Sequence, residues 1–270
     1  MALTDNLVSY WKLDETSGNA SDSTANVKTL TNVGTVTYAA AKINNGADFG
    51  TANTTMYLTR TGYVVPDGAC SFSFWVKQRT EIASGTQTYI LSGSESTSFR
   101  LDYDYNAGSR RLQLTRVRNN LTNVTTNYTV TLGTAAFYHV VGVYDASTIT
   151  LYVNGVNVSS TAATLNGTTN WSPGGGYFSI GALRDSNDGT ISQYASAYID
   201  EVAMYSRGIT STEAMNLYNS GFANAYPFTG YLMTAVVGAF TIAAQSVNMF
   251  RGFLTNTAKP VTTIINSPKT

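Results

Sequence analysis

The chain has 270 residues and 43% hydrophobic side chains, enough to bury the core of one large domain or two smaller ones. Charged residues make up only 12%, and 16 Lys+Arg balance 16 Asp+Glu to a formal net charge of zero. With no dense Lys/Arg run, this excludes a nucleic-acid binder, which needs a basic patch to displace counterions; the polar surface is left to Thr, Ser, Asn and Gly.

The first residues carry neither the basic nor the apolar region of a signal peptide, so none is expected. Alternating apolar and polar residues predict strands at Leu7–Leu13, Ser71–Lys77, Phe99–Tyr105 and Arg111–Val117. Cys70 is the only cysteine; it forms no intramolecular disulfide and reads as a small buried hydrophobe, which suits synthesis in the cytoplasm. Tyr138–Tyr144 and Thr148–Val153 form a predicted hairpin, and Asn154-Gly155 marks a second tight turn. Tyr177–Gly181 and Ala197–Tyr205 complete the strands. Thr210 and Glu213 then form a capping box for one short helix, with Ala214, Leu217 and Tyr218 on one face and Gly221 as its stop. Phe222–Gly230 reads as a linker. Beyond it, Leu232–Ala243 and Val247–Leu254 suggest a hairpin, and the chain from Lys259 reads as an extended arm. The apolar run Tyr231–Ala244 is shorter than the ~20 residues of a membrane-spanning helix and is rich in β-branched residues, so no membrane span is expected. A two-stranded hairpin alone is marginal in water, so this tail is expected to anchor or oligomerise the protein. The expected division is a sandwich over 1–221, a linker over 222–230 and a β-rich tail over 231–270.

Several segments carry a family pattern: Leu7–Asn19 with Asp22–Asn26, Lys42–Gly50, Phe72–Val76, Phe137–Tyr144 with Leu151–Gly155, and Tyr198–Arg207 followed by the helix to Ser220. Together they resemble the laminin-G-like, concanavalin A-like lectin/glucanase domains. The resemblance implies an all-β, two-sheet antiparallel jelly-roll sandwich with a concave face and rim loops. It also implies a mostly non-catalytic family that binds glycans or proteins, many members holding a structural calcium ion. Val237–Arg251 resembles the short hairpin units at the ends of bacteriophage particle proteins.

For calcium, Asp22 and Asp200 match the two family positions associated with the ion, and Asn26 shares the first loop; an Asx-turn at Asp22 and a loop cap at Asp200 are the alternatives. Asp185–Gly189 has the look of a calcium loop, but its glycine comes one position early and no closing Glu follows, so a solvated turn is expected. Asp102 and Asp104 lie two apart on one strand and share a face. They resemble a glycosidase pair only loosely, because the Glu-rich strand of laminarinase-type enzymes is absent; glycan contacts are the milder reading. His139, the only histidine, is expected in a core or sheet-surface role. Tyr63, Tyr105, Trp171 and Tyr194 fall in or beside predicted loops and are the candidate sugar-stacking residues. The function expected is a non-catalytic binding module, displayed as a homo-oligomer on a bacteriophage particle and touching glycans or the host surface. A bacterial cell-surface carbohydrate-binding module and a glycoside hydrolase are the alternatives.

Overall fold

The computed structural model describes residues 1–51, 55–63, 68–94, 97–117, 123–163, 176–185 and 189–228. Trp171 and the tail over 231–270 lie outside the described residues. In chain order the strands are β1 Leu7–Trp11, β2 Thr31–Val33, β3 Thr37–Ala40, β4 Asn45–Asp48, β5 Tyr57–Thr61, β6 Cys70–Gln78, β7 Gly85–Ser94, β8 Thr97–Asn106 and β9 Ser109–Arg116. They continue as β10 Val124–Thr129, β11 Tyr138–Tyr144, β12 Thr148–Val153, β13 Val156–Ala162, β14 Tyr177–Ile180, β15 Leu183–Arg184, β16 Ile191–Ser192 and β17 Ala197–Tyr205, followed by one helix, α1 Ser211–Tyr218. Besides a separate two-stranded sheet, β15-β16, the strands form two large antiparallel sheets, as a jelly-roll sandwich requires. One runs β13-β12-β11-β6-β17-β4-β3 with β1 paired to β17; the other runs β10-β9-β8-β7-β14-β5-β2.

The core lies between the sheets and is built from alternate residues of each strand. β6 contributes Phe72, Phe74 and Val76; β8 contributes Phe99, Leu101 and Tyr103. Gly142 of β11 is a fit to that packing: a Cβ there would lie 2.4 Å from Phe72 Cζ and 2.7 Å from Leu114 Cδ1. The predicted hairpin of β11 and β12 has the predicted boundaries. The next turn places Asn154 at φ 51° and Gly155 at φ 77°, the left-handed pair that a two-residue hairpin turn demands.

β6 was expected to be half-buried, yet its outward residues Ser71, Ser73 and Trp75 are buried too. The reason is a third layer. The outer face of the larger sheet presents Val141, Val143, Tyr152 and Ala203, and helix α1 covers it with Ala214 and Leu217. The capping box forms as expected: Glu213 N donates to Thr210 Oγ1, and Thr210 N donates to Glu213 Oε2. The helix stops at Asn219, in the left-handed region at φ 47°, rather than at Gly221. Residues 222–228 are not a free linker. The rings of Tyr226 and Phe228 lie 5.5 and 5.4 Å from that of Tyr10 and join Leu3 and Leu7 in the same apolar cover. An apolar sheet face needs covering, so the packed layers run past the expected boundary at 221.

Candidate functional site

The two sheets have opposite outer faces. That of the larger sheet is apolar and covered, whereas that of the seven-stranded sheet is polar along β8, β9 and β10 and apolar around Leu91 and Tyr177. Strand register lays its outward residues in rows. Thr86, Asp104, Arg111 and Thr129 form one row, and Thr88, Asp102, Gln113 and Asn127 a second; Arg100, Thr115 and Thr125 form a third. Asp102 and Asp104 therefore share a face, as their spacing requires.

Each aspartate has its own arginine. Arg111 clamps Asp104 with Nε at 2.9 and 3.2 Å from the two carboxylate oxygens and Nη2 at 2.9 Å. Arg100 Nε donates to Asp102 Oδ2 at 2.8 Å, and the Thr88 hydroxyl donates to Oδ1 at 2.7 Å. Burial pushes the Asp102 carboxyl up, against the opposing pull of Arg100. Bidentate guanidinium–carboxylate pairs fix geometry as well as charge. Further along the face, Gln113 Nε2 donates to Asn127 Oδ1 at 3.0 Å. Sequence reading missed Arg111, Gln113 and Asn127 as site residues, since β10 has no apolar alternation and only its pairing with β9 brings Asn127 alongside.

The aromatic candidates divide. Tyr63 is a correction: it is 2% exposed, with its ring 4.9 Å from Phe178 and 6.0 Å from Trp11, so no sugar reaches it. Tyr105 is one step out of phase with Asp104 and packs against the core side of the sheet, with Arg110 over its ring. Tyr194 is near the polar rows. Its neighbour Gln193 accepts from the backbone N–H of Thr88, and its ring lies 6.2 Å from Tyr57, a residue the sequence did not single out. The short pair β15–β16 folds over this end of the face through Leu183, packed on Leu91 and Tyr177.

The expected calcium residues are each engaged by backbone groups. Both Asp22 oxygens are taken by backbone amides, with Tyr10 N at 3.0 Å, Thr24 N at 2.9 Å and Lys28 N at 2.9 Å. Asn26 Nδ2 donates to Val8 O. These two residues organise the loop after β1. Asp200 is different. It is fully buried, accepts one amide at each oxygen from Ile43 and Glu201, and is pushed up to about 8 by burial and then by the Glu201 charge. Glu201 accepts from the Tyr10 hydroxyl, keeps Oε1 buried without a partner, and is raised to about 7 by burial. Among the described residues no three His, Cys, Asp or Glu side chains form a metal-binding group.

His139 is buried on the outer face of the larger sheet, its Nε2 2.8 Å from Ser73 Oγ and its ring 5.0 Å from Trp75 and 6.2 Å from Tyr218. Burial pushes it down to about 3. Its Nδ1 meets no partner, so no acid orients the pair for nucleophilic chemistry. Cys70 is buried and free, as expected, and its thiol is pushed up to about 11 by burial. No described helix is long and apolar enough to cross a membrane.

A family model described as the concanavalin A-like lectin/glucanases superfamily matches residues 49–215. The chain belongs to this superfamily. No curated protein matches this superfamily member in sequence. Several solved structures match it in shape. The binding domain of Paraclostridial mosquitocidal protein 1 gives a TM-score of 0.60 at 16% identity, covering 82% of this chain and 53% of that one. A structure of botulinum neurotoxin type C, whose cell entry depends on interaction with two ganglioside molecules, gives 0.62 at 12%, covering 80% and 51%. Domain 4 of an extracellular arabinanase from Geobacillus stearothermophilus, in complex with arabinotriose, gives 0.55 at 18%, covering 78% and 97%. The superfamily member thus spans about half the length of the two toxin chains, at 53% and 51%. At these identities the likeness is one of fold.

Proposed function

We propose that the chain is a non-catalytic glycan-binding module whose binding surface is the polar outer face of the seven-stranded sheet. The observation that carries this reading is the set of register-aligned rows around the Arg111–Asp104 and Arg100–Asp102 pairs, in which the two carboxylates are buried and Arg111, Gln113, Asn127 and Thr129 reach solvent. The same pairing argues against a hydrolase. A retaining glycosidase needs one free carboxylate nucleophile and one protonated acid, and here each carboxylate faces its own arginine. Relatives in shape that carry arabinotriose or depend on ganglioside support a sugar as the ligand. The labelled full-length chain, applied to an array of neutral and acidic glycans, is expected to bind at least one class; binding to none removes the reading.

The setting we propose is a bacteriophage particle, on the resemblance of Val237–Arg251 to particle-protein hairpins, with residues 231–270 anchoring or oligomerising the module. The packed position of Tyr226 and Phe228 dictates where to cut: after Gly230, not after Gly221. By sedimentation the full chain is expected to form an oligomer and the chain ended at Gly230 a monomer; identical behaviour rules out that role for the tail. A bacterial cell-surface carbohydrate-binding module is the second reading, favoured by the arabinanase domain, nearly all of which the fold spans at 97%. A structural calcium ion is retained as a proposal on Asp22, Asn26 and Asp200; the buried Asp200 carboxyl, which accepts only backbone amides, is the one it would neutralise.

A further inference from the structure

We infer that this face selects an uncharged, extended glycan and holds it by hydrogen bonds in the plane of the sheet rather than by stacking on aromatic rings. The inference rests on the glycan-binding reading and adds the ligand class. Its first support is charge. In the outward rows of β8 and β9 stand two arginines, Arg100 and Arg111, and two aspartates, and they cancel in pairs across 2.8 and 2.9 Å. A sialylated or uronic acid glycan needs a cation not already committed, and a nucleic acid needs a cationic excess; these rows offer neither. The second support is that, among the described residues, β8, β9 and β10 turn no apolar side chain outward; the apolar cluster of Leu91, Tyr177 and Leu183 lies at the other end of the face. The outward positions of β8, β9 and β10 are Arg, Asp, Gln, Asn, Thr and Ser, whereas a protein partner calls for an apolar or aromatic centre. β8, β9 and β10 offer no ring for stacking, because their Tyr103, Tyr105 and Tyr128 turn toward the core.

The third support is the chemistry that remains. The Gln113–Asn127 bond uses one amide donor and one acceptor, leaving Gln113 Oε1 to accept and Asn127 Nδ2 to donate. Sugar hydroxyls do both. Neighbouring strands lie about 4.8 Å apart and successive outward residues about 6.8 Å apart along a strand, so a ligand lying over β9 and β10 meets the accessible Arg111, Gln113, Thr125, Asn127 and Thr129 as a grid of polar groups, not a single pocket. Such a grid matches a chain of sugars better than one terminal sugar.

The test is calorimetric titration of the full chain with arabinotriose, cellotriose and mannotriose, and with sialyllactose and an oligogalacturonate. At least one neutral trisaccharide is expected to bind, with both acidic probes at least about tenfold weaker. Gln113→Ala combined with Asn127→Ala is expected to weaken neutral binding at least about tenfold with the melting temperature unchanged, since two hydrogen bonds are lost. Should that variant fold poorly, Asn127→Asp, which keeps the shape and loses the donor, is expected to give the same loss. Asn157→Ala, on exposed β13 of the other sheet, is expected to bind like the parent. Preference for the acidic probes, or neutral binding untouched by the substitutions, overturns the inference while glycan binding itself stands. Binding of no sugar, here and on the array, removes both.

Discussion

Glu213→Ala is expected to lower unfolding stability by about 3–5 kcal/mol, the cost of leaving a buried charge without its partner. Arg207 Nη1 and Nη2 donate to Glu213 Oε2 and Oε1 at 2.8 and 2.7 Å, and both side chains are nearly buried. The arginine reaches further: Nε donates to Asp5 O at 2.8 Å and Nη2 to Ala2 O at 3.2 Å. Glu213 also accepts from the Thr210 amide in the capping box. One carboxylate therefore ties the start of α1, the end of β17 and, through Arg207, the N-terminal turn. Urea unfolding reads the loss directly, and thermal melting should show it as a fall of about 2–4 °C per kcal/mol for a chain of this size. A loss under about 1 kcal/mol would place the pair with exposed salt bridges and refute its structural role.

The second large effect is a pair of opposite pH dependences. Folded His139 is held down to about 3 from 6.5, so between those values the unfolded chain binds a proton that the folded chain refuses. Its contribution is present above pH 6.5 and is lost as pH falls. Asp200 is raised from 3.8 to about 8, so the folded chain keeps a proton that the unfolded chain has released; that contribution is present at low pH and is lost as pH rises toward 8. Each group changes stability by at most about 1.4 kcal/mol per pH unit inside its window. Relative to the parent, His139→Gln is expected to gain stability as pH falls from 6.5, and Asp200→Asn as pH rises from 4. Melting curves across this range check both; parallel curves for parent and variants would rule out these linkages. At pH 8, added Ca²⁺ should raise the melting temperature of the parent but not of Asp200→Asn if the ion binds there; equal responses remove the calcium proposal.

Much of the sandwich was legible because half-buried strands advertise themselves by alternation. Tyr138–Tyr144, Thr148–Val153 and Ala197–Tyr205 stand where they were expected. β7 was missed because an irregularity between Thr88 and Ile90 breaks its alternation and places neighbouring Tyr89 and Ile90 both in the core. β10 was missed because its outward half is all Thr and Asn, with little apolar contrast to read. The candidate site was legible only in part. Spacing along β8 correctly paired Asp102 with Asp104, but the arginine opposite Asp104 comes from β9 and the amide partners from β9 and β10, a matter of register. Tyr63 looked like a loop residue because Gly62 precedes it; nothing local announces that Phe178, from a distant strand, takes its ring. Asp22 showed the opposite ambiguity, since an Asx-turn and a cation ligand need the same carboxylate and only the three amides around it decide.

The pairing of β1 with β17 has a kinetic consequence. Ser9 stands opposite Met204, and Tyr10 reaches Glu201 across 191 positions of sequence. Beyond its bonds to the Asp22–Ser23 loop, β1 therefore waits for β17 before it has a strand to pair with. At about 5–20 residues per second of synthesis, that wait is roughly 10–40 s. With so many partners distant in sequence, the sandwich belongs among slow-folding topologies, and Leu7–Trp11 is the edge most exposed to unwanted pairing until the chain reaches Tyr205.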